Sequence, residues 1–100
     1  MPVKPVRLSY AAADDLRGIQ RYTVNQWGSR QWQIYLDKLD GLFQQLGANP
    51  ALGPERGEVS VGLRSFPMGM GARVIWHRDR DEDLEIVCIL HGAMDPNTRL

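Results

Sequence analysis

Residues 11–47, AAADDLRGIQRYTVNQWGSRQWQIYLDKLDGLFQQLG, decide the fold. Ala12, Leu16, Ile19, Tyr22 or Thr23, and Trp27 recur at helical spacing, which turns Asp14, Asp15, Arg17, Gln20 and Arg21 toward water. Asp14 and Asp15 fall in the first turn, where the helix dipole favours negative charge. Gly28 suits a helix C-terminus, and Ser29 can cap the helix that follows. A second stripe of Trp32, Tyr35, Leu36, Leu39, Leu42, Phe43 and Leu46 runs to Gly47, with Pro50 just beyond. Only Gly28 and Ser29 separate the two patterns, and so short a link forces an antiparallel helical hairpin.

Upstream, VKPVRLS (3–9) alternates Val3, Val6 and Leu8 imperfectly with polar positions. It reads as a short strand near 6–9, with Pro5 suited to an edge or a strand start. Downstream, Gly47 to Ser60 holds three Gly and two Pro without a regular period, and reads as a loop crossing back over the fold. GLRSFP (62–67) is a candidate strand, MGMG (68–71) a turn and ARVIWHR (72–78) a second strand. The charged turn DRDED (79–83) leads into LEIVCILH (84–91), whose apolar, β-branched run predicts a central strand buried on at least one face. The expectation is an α+β fold over residues 1–100 as a single domain. It consists of a short N-terminal strand, an antiparallel two-helix hairpin on one sheet face, then a three-stranded antiparallel meander (β-α-α-β-β-β).

The chain has 100 residues, 43 % apolar and 24 % charged, which is globular composition and excludes disorder. Twelve Lys plus Arg balance twelve Asp plus Glu. A net charge of zero argues against a simple nucleic-acid coat protein, because non-specific affinity comes from neutralising phosphates. Ten of the twelve bases are Arg, the planar cation suited to interfaces as well as to solubility. The opening MPVKPVRLSY has no apolar h-region, and no segment approaches the ~20 apolar residues of a membrane span. A cytoplasmic protein without membrane contact is expected.

His77 and His91 are the only imidazoles and stand on different predicted strands without ligand spacing. Each reads as a surface or interface histidine, and no metal is expected. The single Cys88 excludes an internal disulfide and, mid-strand in an apolar run, reads as core filler. GMG (69–71) lacks the third Gly and the following helix of a dinucleotide loop, so no cofactor is expected. An RNA-cleaving site needs a base, an acid and cations. Glu58, His91, Arg64 and Arg73 fill those roles on paper, although pairing of the two arginines with nearby carboxylates or a partner protein is the simpler reading. Three Trp and three Tyr are many for one small core, and Trp27 and Trp32, flanking the interhelix turn, need not both fit inside it. Aromatic residues and Arg are the usual anchors of protein interfaces.

The ordered combination DLxxIxxYT (15–23), WGxxQ (27–31), GLRSFP (62–67) and EIVxxLHxxMD (85–95) resembles the ParE toxins of type II toxin–antitoxin modules, within the RelE/ParE superfamily. The resemblance runs over nearly the whole chain. Cys88 and Ala93 stand where that family commonly has Arg, and MGMGAR (68–73) looks longer than its usual turn. The resemblance implies a helical hairpin on a small antiparallel sheet and a toxin that traps DNA gyrase with its DNA cut. It implies neutralisation by a ParD-like antitoxin, and a toxin that is not itself an enzyme and does not read DNA sequence alone. The runner-up within the superfamily is a RelE-type ribosome-dependent messenger-RNA endonuclease. Zero net charge and the tail MDPNTRL, without Tyr or Lys, speak against the basic surface that activity needs. A third reading is a non-toxic module that only pairs with its antitoxin.

Leu16, Ile19, Tyr22 and Trp27 are the expected antitoxin anchors, from the excess of large apolar residues on the hairpin. Target contact is expected at Arg64, Arg73, Arg78, His91, Met94 and Asp95. Arg64 and the HxxMD segment match the family pattern, whereas Arg73 and Arg78 rest on charge and position.

Overall fold

Ser9 starts the first helix. Its oxygen accepts the Ala12 amide at 3.0 Å while its hydroxyl donates to the Val87 carbonyl at 2.7 Å, so one side chain caps the helix and ties it to a distant strand. The computed structural model describes residues 3–69, 72–92 and 94–99. In order these form β1 (Val6–Leu8), α1 (Tyr10–Trp27), α2 (Ser29–Ala48), β2 (Leu63–Pro67), β3 (Arg73–Asp79), β4 (Leu84–His91) and a 3-10 turn (Pro96–Thr98). Of the expected turn at 68–71, Met70 and Gly71 lie outside the described residues, as does Ala93.

The hairpin forms as its two stripes require. Gly28, at φ +89°, ends α1 by returning its N–H to the Val24 carbonyl, a conformation in which a side chain would be strained. The expected Ser29 cap is not made. Gly28 alone is the link, so Ser29 is already the first residue of α2 and the cap position has no side chain.

The strands take the order β1-β4-β3-β2, and β2, β3 and β4 form the expected antiparallel meander. β1 joins β4 in parallel, with Val6 opposite Leu84 and Leu8 opposite Ile86, so the sheet is mixed. Trp76 pairs with Cys88 but His77 pairs with Ile86, which leaves Val87 as an extra residue in a bulge. That extra residue puts both Val87 and Cys88 on the face away from the helices.

The central strand is buried on both faces. Leu84, Ile86 and Ile89 of β4 join Ile75, Met68 and the helix residues Ala12, Ile19, Trp32, Leu39 and Leu46 in the main core. Trp76, Val87, Cys88, Leu90 and Leu63 form a second cluster on the opposite face, with Val59 of the preceding loop packed on it. The Arg56 guanidinium lies 5.0 Å over the Trp76 ring.

Loop 49–62 closes against the edge strand β2. Gly53 approaches the Ser65 backbone so closely that a Cβ would collide with it. Arg56 donates its amide to the Leu63 carbonyl at 2.7 Å, and Arg64 donates to the Gly53 carbonyl at 2.7 Å. This covers an edge that would otherwise offer unpaired backbone groups. His77 lies beneath the same loop, 0 % exposed, with Nε2 3.0 Å from the Leu52 carbonyl. It is not the surface histidine expected, because the loop supplies it with a polar partner under cover. No helix among the described residues is long and apolar enough to cross a membrane.

Candidate functional site

Arg73 and His91 face each other across β3 and β4 at the end of the sheet where β3 begins and β4 finishes. α1 and α2 pass over this end, and two adjoining cavities open between helices and strands. The first, about 230 Å³, is lined by Ile19, Tyr22, Thr23 and Trp27 of α1, Gln31, Ile34, Tyr35 and Lys38 of α2, and Arg73. The second, about 380 Å³, shares Ile19, Tyr22 and Arg73 and adds Asp14, Asp15, Gly18 and Arg21 of α1, Ile89, Leu90 and His91 of β4, then Met94 and Arg99.

The rim is apolar and open. Tyr22 is 58 % exposed, Trp27 69 % and Met94 50 %, and Ile34 of the first cavity is exposed as well. These exposed apolar side chains around one pair of cavities make this face the candidate interaction surface. Of the four expected antitoxin anchors, Tyr22 and Trp27 stand on this rim. Ile19, only 4 % exposed, forms cavity floor, and Leu16 packs half-buried against the main core. Trp32 is buried and stacked on Tyr35 at 5.6 Å, so only one of the two tryptophans fits inside.

Charge in the groove is arranged by α1 and the tail. Asp15, expected toward water, turns inward, accepts the Ile89 amide at 2.9 Å and pairs with Arg99 at 2.7 Å. Arg99 also donates to the Ala11 carbonyl at 3.0 Å, which fastens the tail to the start of α1. Asp95 accepts the Asn97 amide at 2.9 Å and so caps the tail turn, while Met94 is held by its amide on the His91 carbonyl. Burial pushes the Tyr35 hydroxyl above its ordinary range, and the positive charge of Arg73 opposes that shift.

The other expected residues lie elsewhere. Arg64 stands opposite His77, four residues along β3 from Arg73, or roughly 13 Å at strand spacing. It is occupied by the Gly53 carbonyl and by Glu55 at 3.3 Å. Arg78 donates to Ser60 Oγ at 2.6 Å, and Glu58 pairs with Arg56, whose hydrogen bond holds the carboxyl below its usual range. Glu58, Arg64, Arg73 and His91 are therefore not brought into one acid–base constellation. No group of three or more His, Cys, Asp or Glu among the described residues could hold a metal ion.

Residues 6–96 match the family model described as ParE toxin of type II toxin-antitoxin system, parDE. The chain belongs to the ParE toxin family. It is 35 % identical over 98 residues to Toxin ParE of Escherichia coli, covering 93 % of this chain and 89 % of that protein. It is 30 % identical over 81 residues to Toxin ParE3 of Caulobacter vibrioides, covering 81 % of this chain and 79 % of that one. A solved structure described as a chromosomal ParDE TA system from P. aeruginosa shares the fold, with a TM-score of 0.73 at 17 % identity, over 89 % of this chain and 96 % of that chain.

Within this ParE-family groove, several residues escaped the sequence reading. Ile34 is an apolar residue out of phase with its helix stripe, and that phase error is the signal that could have found it. Lys38 and Tyr35 fit an ordinary amphipathic helix, and nothing in their spacing shows that they face Arg73. Arg99 is a lone tail base whose partner, Asp15, is 84 residues distant in sequence, beyond the reach of any local pattern.

Proposed function

We propose that this ParE-family chain acts as the toxin of its module by contact with another protein: it inhibits DNA gyrase by trapping the cleaved gyrase–DNA complex, and a ParD-like antitoxin seated on the paired cavities neutralises it. The reading takes residues 1–100 as one toxin domain working in the cytoplasm, without a cofactor and without reading DNA sequence by itself. One observation carries it: Tyr22 and Trp27, expected for the antitoxin, line cavities that adjoin or share those of Arg73, His91 and Met94, expected for the target. A segment laid over the first group covers the second, so neutralisation follows from occlusion. Arg64, Arg78 and Asp95 remain target candidates only through the strand and tail they support.

The test is gyrase cleavage of supercoiled plasmid with ATP and purified chain, quenched with detergent and protease. Linear DNA that appears with the chain and vanishes on adding antitoxin is expected. Folded chain that yields no linear DNA overturns the gyrase reading, and a chain that fails to co-elute with the antitoxin overturns the neutralisation reading.

A further inference from the structure

Five arginines of the described chain are half-buried: Arg56, Arg64, Arg73, Arg78 and Arg99. Arg56 holds Glu58, Arg64 holds Glu55 and a carbonyl, Arg78 holds Ser60, and Arg99 holds Asp15. Arg73 makes neither an ion pair nor a side-chain hydrogen bond to another described residue. A guanidinium partly withdrawn from water and left without an acceptor loses hydration with nothing in return. Its position makes the omission meaningful, because it reaches both cavities of the groove.

We propose that Arg73 is an anion anchor that takes a carboxylate from an acidic segment of the antitoxin, an inference that rests on the antitoxin reading above. The cavity it shares with Tyr22, Trp27, Tyr35 and Lys38 carries two cations and no carboxylate in its lining. The planar guanidinium matches a carboxylate in a two-bond fork, and the exposed aromatic rings beside it suit the apolar neighbours of that acid. Gly18 leaves room beside the groove for such a segment. It sits inside α1, on the adjoining cavity, with nothing within 4 Å of where its Cβ would lie. A mid-helix Gly is less favourable than Ala, and no contact with the described residues requires it here. The open strip it leaves lets a peptide backbone pass close to the helix. A peptide fits better than a nucleic acid, since the chain has no net charge to attract a run of phosphates.

The test titrates the ParD-type antitoxin encoded with this chain into wild type, Arg73→Gln and Arg73→Lys, with thermal melts to confirm folding. Arg73→Gln is expected to weaken binding about 30-fold, and Arg73→Lys about 5-fold, by loss of the charge-assisted fork. Neutralising the antitoxin's Asp and Glu residues one at a time should reveal one whose loss has no further effect in Arg73→Gln. Folded Arg73→Gln that binds within twofold of wild type overturns the anchor and leaves the antitoxin reading standing. An antitoxin that binds none of the three proteins overturns the antitoxin reading itself. A single-stranded RNA 20-mer that competes for Arg73 in place of the antitoxin overturns the peptide assignment.

Discussion

The Asp15 carboxylate accepts the Ile89 amide at 2.9 Å, and this bond completes a sheet ladder that a strand leaves unfinished. β1 is only three residues long and pairs with β4 no further than Ile86. Beyond it, the Val87 carbonyl and the Ile89 amide take side chains of the adjoining helix region instead, Ser9 for the first and Asp15 for the second. Polar groups on a buried strand must find partners, and here the start of α1 substitutes for the missing strand.

Replacing Asp15 should therefore destabilise the fold strongly. Asp15→Ala strips a partner from both the Ile89 amide and Arg99, and a loss of about 2–3 kcal/mol in unfolding free energy is expected. Asp15→Asn keeps an acceptor and should lose less. Urea denaturation reads the difference, and an Asp15→Ala protein as stable as wild type would remove this account of the ladder.

His77 should make stability fall on the acid side. Burial holds its imidazole below the ordinary value of 6.5, against the pull of the Leu52 carbonyl and of Asp79, while Arg64 adds to the depression. As pH drops through about 6.5 the unfolded chain takes up a proton that the folded chain refuses, so stability is complete above that value and declines below it. His77→Gln should remove that part of the pH dependence whatever its effect on stability at pH 8. Denaturant melts from pH 8 to 5 on both proteins give the comparison, and parallel curves would show that His77 is not the source.

Cys88 should be inert while the protein is folded. Burial pushes its thiol up to about 12, with Asp15 adding to the shift and Arg99 opposing it. The thiolate is the reactive form, so a thiol reagent at pH 8 is expected to label the chain only in denaturant. Prompt labelling of native protein would contradict the buried placement.

Ile19 and Trp27 both lie on α1 but differ in exposure, 4 % against 69 %, and should separate stability from binding. Trp27→Ala, on the rim, is expected to change stability by no more than about 0.5 kcal/mol while weakening the antitoxin complex. Ile19→Ala, in the core, should cost about 2–4 kcal/mol of stability. Melting curves and titrations on the two variants decide the point. A destabilised Trp27→Ala protein with unchanged antitoxin affinity would assign Trp27 to the fold and not to the interface.

Periodicity carried much of the architecture. The stripes around Gly28 dictate a hairpin because two amphipathic helices with so short a link can only fold back and share one apolar seam. The run from Leu84 to His91 announces its own burial because a strand covered on both faces cannot alternate. That some aromatic rings must lie outside was legible because a core this small cannot hold every ring the chain carries, and Tyr22 and Trp27 are exposed.

What tertiary structure alone decided is which residues meet. The parallel seat of β1 beside β4, the inward turn of Asp15 and the cover over His77 all depend on groups far apart in sequence. The same holds for the groove: the six expected target contacts divide between Arg73, His91 and Met94, which line it, and Arg64, Arg78 and Asp95, which brace loop and tail. Apolar period is a local property, set by 3.6 residues per turn or two per strand repeat. Pairing of polar groups is set by strand order and by a single bulge, and those exist only once the chain has folded.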